Sequence, residues 1–222
     1  VVYHGTGADK TDVSENYAIT PATGTLTVTA VPITVTAKSD EKVYDGTALT
    51  NDGYDVTGTF VGDDGFDTVT VIGSQTLVGE SANTVTGYTL TAGTNANNYD
   101  ITTVPGKLTV TAANIAITVT AGSATKEYDG DPLTKDSFAV TSGALAEGDY
   151  IEATVVGTIT DAGSADNTVT NIVVYHGTGA DKTDVSENYA ITPATGTLTV
   201  TAVPITVTAK SDEKVYDGTA LT

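Results

Sequence analysis

Twelve residues at 26–37, LTVTAVPITVTA, carry the pattern from which the rest of the chain is read. Leu26, Val28 and Ala30 alternate with Thr27 and Thr29; beyond Pro32, Ile33, Val35 and Ala37 alternate with Thr34 and Thr36. A period of two places apolar side chains on one face and hydroxyls on the other, which predicts strands with one buried and one wet face. Turn signals arrive every 8 to 12 residues: YDG, NDG, VGDDG, VIGS, VGES, TAGTNANN and VPGK. About seven short strands in about 85 residues suit a two-sheet sandwich of immunoglobulin type. No stretch has a helical period.

The pattern recurs as an internal repeat. Residues 1–50 return letter for letter at 173–222. Inside that period, ITVTAKSDEKVYDGTALT at 33–50 matches ITVTAGSATKEYDGDPLT at 117–134, and Gly73, Gly79 and NTV at 83–85 match Gly157, Gly163 and NTV at 167–169. NNYDITTVPGKLTVTA at 97–112 aligns with ENYAITPATGTLTVTA at 187–202, where the offset has grown by six residues. Two unit types therefore alternate, and the second carries a six-residue insertion around 173–186. The boundaries that follow are 1–31, the C-terminal part of a second-type unit; 32–113, a complete first-type unit; 114–203, a complete second-type unit; and 204–222, the start of the next first-type unit. A chain that starts and stops inside units reads as a window on a longer array.

The last strand of one unit runs into the first strand of the next across only VP or ANIA. Pro32 and Pro204 fix φ and restrict the preceding valine, so the joints should be extended and stiff. The expected architecture is all-β: tandem immunoglobulin-like sandwiches in an extended rod. Each unit should close its own apolar interior and add roughly 35–45 Å of length.

Composition narrows the function classes. There is no Cys, Met or Trp, and 46 of 222 residues are Thr, as a pleated surface favours. Without Cys, disulfides, thiol catalysis and zinc–thiolate sites are excluded. A net charge of −19 opposes nucleic acid and anionic lipid, and no run is long enough to span a bilayer. No nucleophile triad, phosphate loop or metal-hydrolase motif is present, so no enzyme activity is expected.

The motifs KVYDGTALT, KEYDGDPLT, ENYAIT…GTLTV and NNYDIT…GKLTV resemble the YDG and MBG-type immunoglobulin-like repeats of very large bacterial surface and secreted proteins. The resemblance covers essentially the whole chain. It implies sandwich modules strung in tandem on an extracellular or cell-surface protein, and it supplies no catalytic residues.

Candidate sites remain. Tyr44 and Tyr128 open the YDG turn, whose Asp-Gly pair suits a tight turn; Tyr99 and Tyr189 open a late strand where a hydroxyl can tie down a corner. Alternation turns Lys42 and Lys126 toward the core beside those tyrosines. A buried lysine must be paired with a carboxylate or lose its charge, as in an isopeptide cross-link with Asn98 or Asn188. Asp63, Asp64 and Asp67 in GDDGFD are the candidate calcium ligands, although the loop lacks the strict EF-hand spacing, and no cofactor is otherwise required. His176 and Lys182 lie in the insertion, a candidate binding loop. The expected function is a structural repeat of an extracellular stalk or fibre, its partners neighbouring repeats and laterally associated chains. The alternative is an adhesin whose repeats bind mucin or another glycan; only 14 Tyr and Phe and no Trp offer platforms for sugar.

Overall fold

A computed structural model describes residues Val1–Thr222. The chain forms two β-sandwich-like units of matching strand order, preceded by a short ribbon of β1 (Tyr3–His4) and β2 (Thr11–Asp12). The first unit comprises β3 (Val31–Ala37), β4 (Asp40–Val43), β5 (Tyr54–Thr57), β6 (Phe66–Ile72), β7 (Gly79–Leu90), β8 (Tyr99–Val104) and β9 (Gly106–Thr111). Its sheets run β5-β3-β8 and β4-β9-β7-β6. The second comprises β10 (Ile115–Ala121), β11 (Ala124–Glu127), β12 (Phe138–Ser142), β13 (Asp149–Val156), β14 (Gly163–His176), β15 (Thr183–Asp184), β16 (Tyr189–Ala194) and β17 (Gly196–Thr201). Its sheets run β12-β10-β16 and β11-β17-β14-β13, with β15 on β14. No helix is long and apolar enough to cross a membrane.

The strand order departs from the all-antiparallel pairing of an immunoglobulin sandwich in two places. β3 is parallel to β8, and β4 is parallel to β9. The first two and last two strands thus travel as a two-stranded ribbon that begins in one sheet and finishes in the other. The crossover is too tight for a side chain: a Cβ on Gly106 would lie 2.4 Å from the Lys38 carbonyl oxygen, and one on Gly196 would lie 2.4 Å from that of Gly122. Asn83 secures the crossover from inside, donating through Nδ2 to the carbonyls of Lys38 (2.8 Å) and Asn51 (2.7 Å). Asn167 does the same for Gly122 and Lys135 in the second unit. Both asparagines are fully buried, and each lies over a glycine, Gly73 or Gly157, that leaves room for it.

Alternation selects the core as expected. Ile33, Val35 and Ala37 on β3 and Leu108 and Val110 on β9 point inward, as do Ile117, Val119, Ala121, Leu198 and Val200 in the second unit. Partners decide whether the pattern is used. Leu198 in LTVT at 198–201 is 0% exposed on β17, whereas Leu26 in the identical LTVT at 26–29 is 100% exposed and forms no strand. A strand of this kind is held by the sheet around it rather than by its own propensity.

The expectation that each unit closes its own interior holds in part: Val35, Ala37, Val71 and Val85 form a cluster within the first unit. No ladder joins the sheets of the two units, but one apolar cluster runs through both, with Tyr44, Leu49, Leu108 and Val110 of the first and Val174, Val185 and Tyr189 of the second. The units share side-chain contacts at their joint, where only residues 112–114 separate β9 from β10.

Candidate functional site at the joint between the units

The YDG turn is built locally. Tyr44 N–H donates to the Thr111 carbonyl at the end of β9, and Gly46 takes φ +82, a conformation natural to glycine. Lys42 then reaches along the turn: its Nζ donates to Asp45 Oδ1, Thr47 Oγ1 and the Thr47 carbonyl, each at 2.6 Å. Thr47 N–H closes the ring on Asp45 Oδ1 at 2.9 Å. Lys42, that N–H and the Thr47 hydroxyl, which donates to the same oxygen at 2.8 Å, hold the Asp45 carboxyl down at about 2. The same clamp forms at Lys126–Asp129 and at Lys214–Asp217, the last in a stretch with no strands at all. Six residues suffice to specify it.

The turn presents Tyr44 to the second unit. Tyr44 Oη donates to Asp149 Oδ1 and Oδ2 at 2.7 and 2.9 Å, across 105 residues of sequence. Asp149 also accepts from Tyr189 Oη on Oδ2 (2.5 Å), and its Oδ1 lies 2.6 Å from His176 Nδ1. The Tyr189 hydroxyl in turn accepts the Ala146 N–H at 2.9 Å, which fixes the loop that carries Asp149. Three side chains therefore converge on one carboxyl group whose side chain is 0% exposed, and Tyr44 itself is 2% exposed. Burial first, then the hydrogen bond to Asp149, pushes the hydroxyls of Tyr44 and Tyr189 far above the usual tyrosine range.

Backbone fit completes the joint. Glu147 N–H donates to the Asp45 carbonyl at 3.1 Å, and a Cβ on Gly46 would come within 2.0 Å of the Glu147 carbonyl oxygen. The Tyr-Asp-Gly tripeptide is thus used in full: tyrosine for the carboxyl, aspartate for the clamp, glycine for contact. Beside it, Asn188 Oδ1 accepts the Ala113 N–H of the linker at 3.1 Å, and the insertion contributes Val174 and Val185 to the shared core. With the carboxyl and the Tyr44 hydroxyl buried, the arrangement can hold two surfaces in register.

The remaining candidates take other places. The ammonium of Lys42 is spent on Asp45 and Thr47, and that of Lys126 on Asp129 and the Asp131 carbonyl; neither Asn98 nor Asn188 is among their partners. Asp63, Asp64 and Asp67 do not gather around a common point, and no group of three or more carboxylate or imidazole side chains is placed to hold a metal ion. Asp64 instead accepts from Tyr99 Oη (2.7 Å) and Thr94 Oγ1 (3.1 Å), while Asp67 accepts from Thr89 Oγ1. Tyr99 and Tyr189 do tie down a corner, through the N–H groups of Val61 and Ala146. His176 turns inward to join Asp149, while Lys182 stays at the surface, paired with the exposed Glu152 at 2.7 Å and lying 4.0 Å above the Tyr175 ring. Sequence reasoning takes Asp149, with Glu147 in AEGDY, only as an acidic turn and does not foresee its tyrosine and histidine partners. The equivalence of Asp64 and Asp149 is structural, since they lie 35 and 40 residues before Tyr99 and Tyr189.

Residues 33–109, nearly the whole first unit, match the family model of the MBG domain of the YGX type, and this stretch is an MBG/YDG-type repeat. MBG domains occur in bacterial surface proteins. No curated protein matches the chain.

Proposed function

We propose that this chain, whose residues 33–109 are an MBG-type repeat, is a structural repeat segment of a bacterial extracellular stalk or fibre. In this reading sandwich units follow one another in tandem, and each YDG turn locks its unit to the next. The observation that supports it is the Tyr44–Asp149–Tyr189–His176 cluster, which is buried between units rather than within one. Apolar contact alone permits sliding, because it is non-directional. Tyr189 and His176 fix the carboxyl within the second unit. The Tyr44 hydroxyl from the first unit, with the Glu147 N–H on the Asp45 carbonyl, adds directional bonds that select an orientation, the best-attested use of a buried polar group. A stalk needs that property, since spacing and load pass from unit to unit.

Imaging of native material tests the reading. An axial repeat of roughly 70–90 Å, two units long at the rise of a β-strand, is expected. A collapsed chain without axial periodicity would contradict it.

One feature favours the adhesin alternative. Tyr150 and Tyr175 lie with ring centroids 5.9 Å apart, and Lys182 caps the second, a small aromatic platform of the kind sugars use. Saturable binding on a glycan array, lost in Tyr175→Ala, would move the function from spacing to adhesion.

A further inference from the structure

The joint just described has two halves, and each unit carries one of each. The first unit offers its donor turn, Tyr44-Asp45-Gly46, to the acceptor end of the second. Its own acceptor end and the donor turn of the second unit are left without partners. The donor turn at Tyr128-Asp129-Gly130 has the same clamp, with Lys126 Nζ on Asp129 and on the Asp131 carbonyl. It has the same anchor, Tyr128 N–H donating to the Thr201 carbonyl at 2.8 Å, and the same glycine conformation, φ +88. Yet Tyr128 is 44% exposed, and a Cβ on Gly130 would meet nothing within 4 Å. The turn that is buried at Tyr44 has a close counterpart here that is exposed, with Asp131 in place of Thr47.

The acceptor end of the first unit matches on the other side. Asp64 stands where Asp149 stands: its N–H donates to the Val61 carbonyl at 3.2 Å, as that of Asp149 donates to Ala146. Tyr99 stands where Tyr189 stands, its hydroxyl accepting the Val61 N–H and donating to Asp64. Thr94 supplies the donor that His176 supplies in the second unit. Asp149 thus has three donor side chains, and Asp64 has two. A carboxylate has about four lone-pair sites, so Asp64 has room for a further donor, and the one it lacks relative to Asp149 is the tyrosine from a neighbouring unit. A cleft lined by Val61, Asp64, Asn98, Tyr99 and the linker residues Ala30 and Val31 opens at this place.

We infer that the Tyr128 turn and the Asp64–Tyr99 end are the two halves of a second joint, whose partner is another copy of this chain's own repeat: a second-type unit docks Tyr128 on Asp64 of a first-type unit. The array would then alternate two locks, one completed by His176 and one by Thr94. The inference rests on the joint of the proposed function and extends it from one contact to a periodic one. Because donor and acceptor lie on different surfaces, the contact is heterologous and can repeat from each unit to the next.

The test extends the full chain. Residues 205–222 repeat 33–50, so appending a copy of residues 51–113 after Thr222 completes a further first-type unit without altering any existing residue. Hydroxyl-radical footprinting then reports tyrosine exposure in both proteins. In the 222-residue chain Tyr128 is modified and Tyr44 is protected. In the extended chain Tyr128 should be modified roughly tenfold more slowly, approaching Tyr44, as its exposed state closes. Replacing the added copy's equivalent of Asp64 with Ala should return Tyr128 to its original rate. Equal modification of Tyr128 in both proteins, with the added copy's equivalent of Tyr99 protected and that unit therefore folded, overturns the inference. Tyr44 in the same samples reports the first joint independently: its protection with an unprotected Tyr128 sinks the second lock alone, and its modification sinks both.

Discussion

Asp149 concentrates the energetics of the joint in one side chain. A buried carboxyl group without partners is costly, and here Tyr44, Tyr189 and His176 supply them. Removing only the hydroxyl that comes from the other unit, in Tyr44→Phe, keeps the ring in the core and should cost about 1.5–3 kcal/mol, the worth of a hydrogen bond to a charged acceptor. Denaturant unfolding measures this, and Tyr17→Phe at an exposed position should change stability by less than about 0.5 kcal/mol. The pH dependence has two signs. Burial raises Tyr44 and Tyr189 above the ordinary tyrosine value of 10.0, so the native state keeps their protons longer than the unfolded chain does. Their stabilisation is complete below pH 10.0 and is lost as pH rises beyond it; in an alkaline absorbance titration these two should ionise only on unfolding. Asp45 runs the other way. Its carboxyl is lowered from 3.8 to about 2, so its contribution is present above pH 3.8 and fades between there and about 2. A carboxyl titration of Asp45 by carbon NMR should centre near 2, and a midpoint at 3.8 would remove the clamp from the account.

At the scale of elements, alternation made the strands legible and left their pairing hidden. Ile33, Val35 and Ala37, or Leu198 and Val200, are identified as core by period two alone. Nothing in that period says that β3 runs parallel to β8 and β4 to β9, because a strand's inward face is the same whichever neighbour it takes. The crossover could have been suspected from paired features that recur in both units: Gly73 with Asn83, Gly157 with Asn167, and Gly106 with Gly196. The function of those asparagines, one donor to each of two carbonyls, is a three-dimensional fact. It carries a prediction. Asn83→Ala leaves the Lys38 and Asn51 carbonyls unpaired inside the sandwich, at about 1–3 kcal/mol each. Thr84→Ala, the exposed neighbour on the same strand, should be nearly neutral in the same melting experiment.

At the scale of the molecule, the turn and the joint differ in how far sequence reaches. The Lys-x-x-Asp-Gly clamp closes within six residues and forms three times, so a local motif predicts it. The lock it serves joins Tyr44 to Asp149 and His176, separated by 105 and 132 residues, and only the folded chain brings them together. The linker between the two units contains no proline, and side chains from both units meet there instead. The central claim is that the units hold one relative orientation. Residual dipolar couplings measured separately over 32–113 and 114–203 in one aligned sample test it most directly. A single alignment tensor, equal in magnitude and direction for the two units, is the expected result, and Tyr44→Phe should begin to split it. Two tensors of clearly different magnitude in the unaltered chain would show independently tumbling units and contradict the lock.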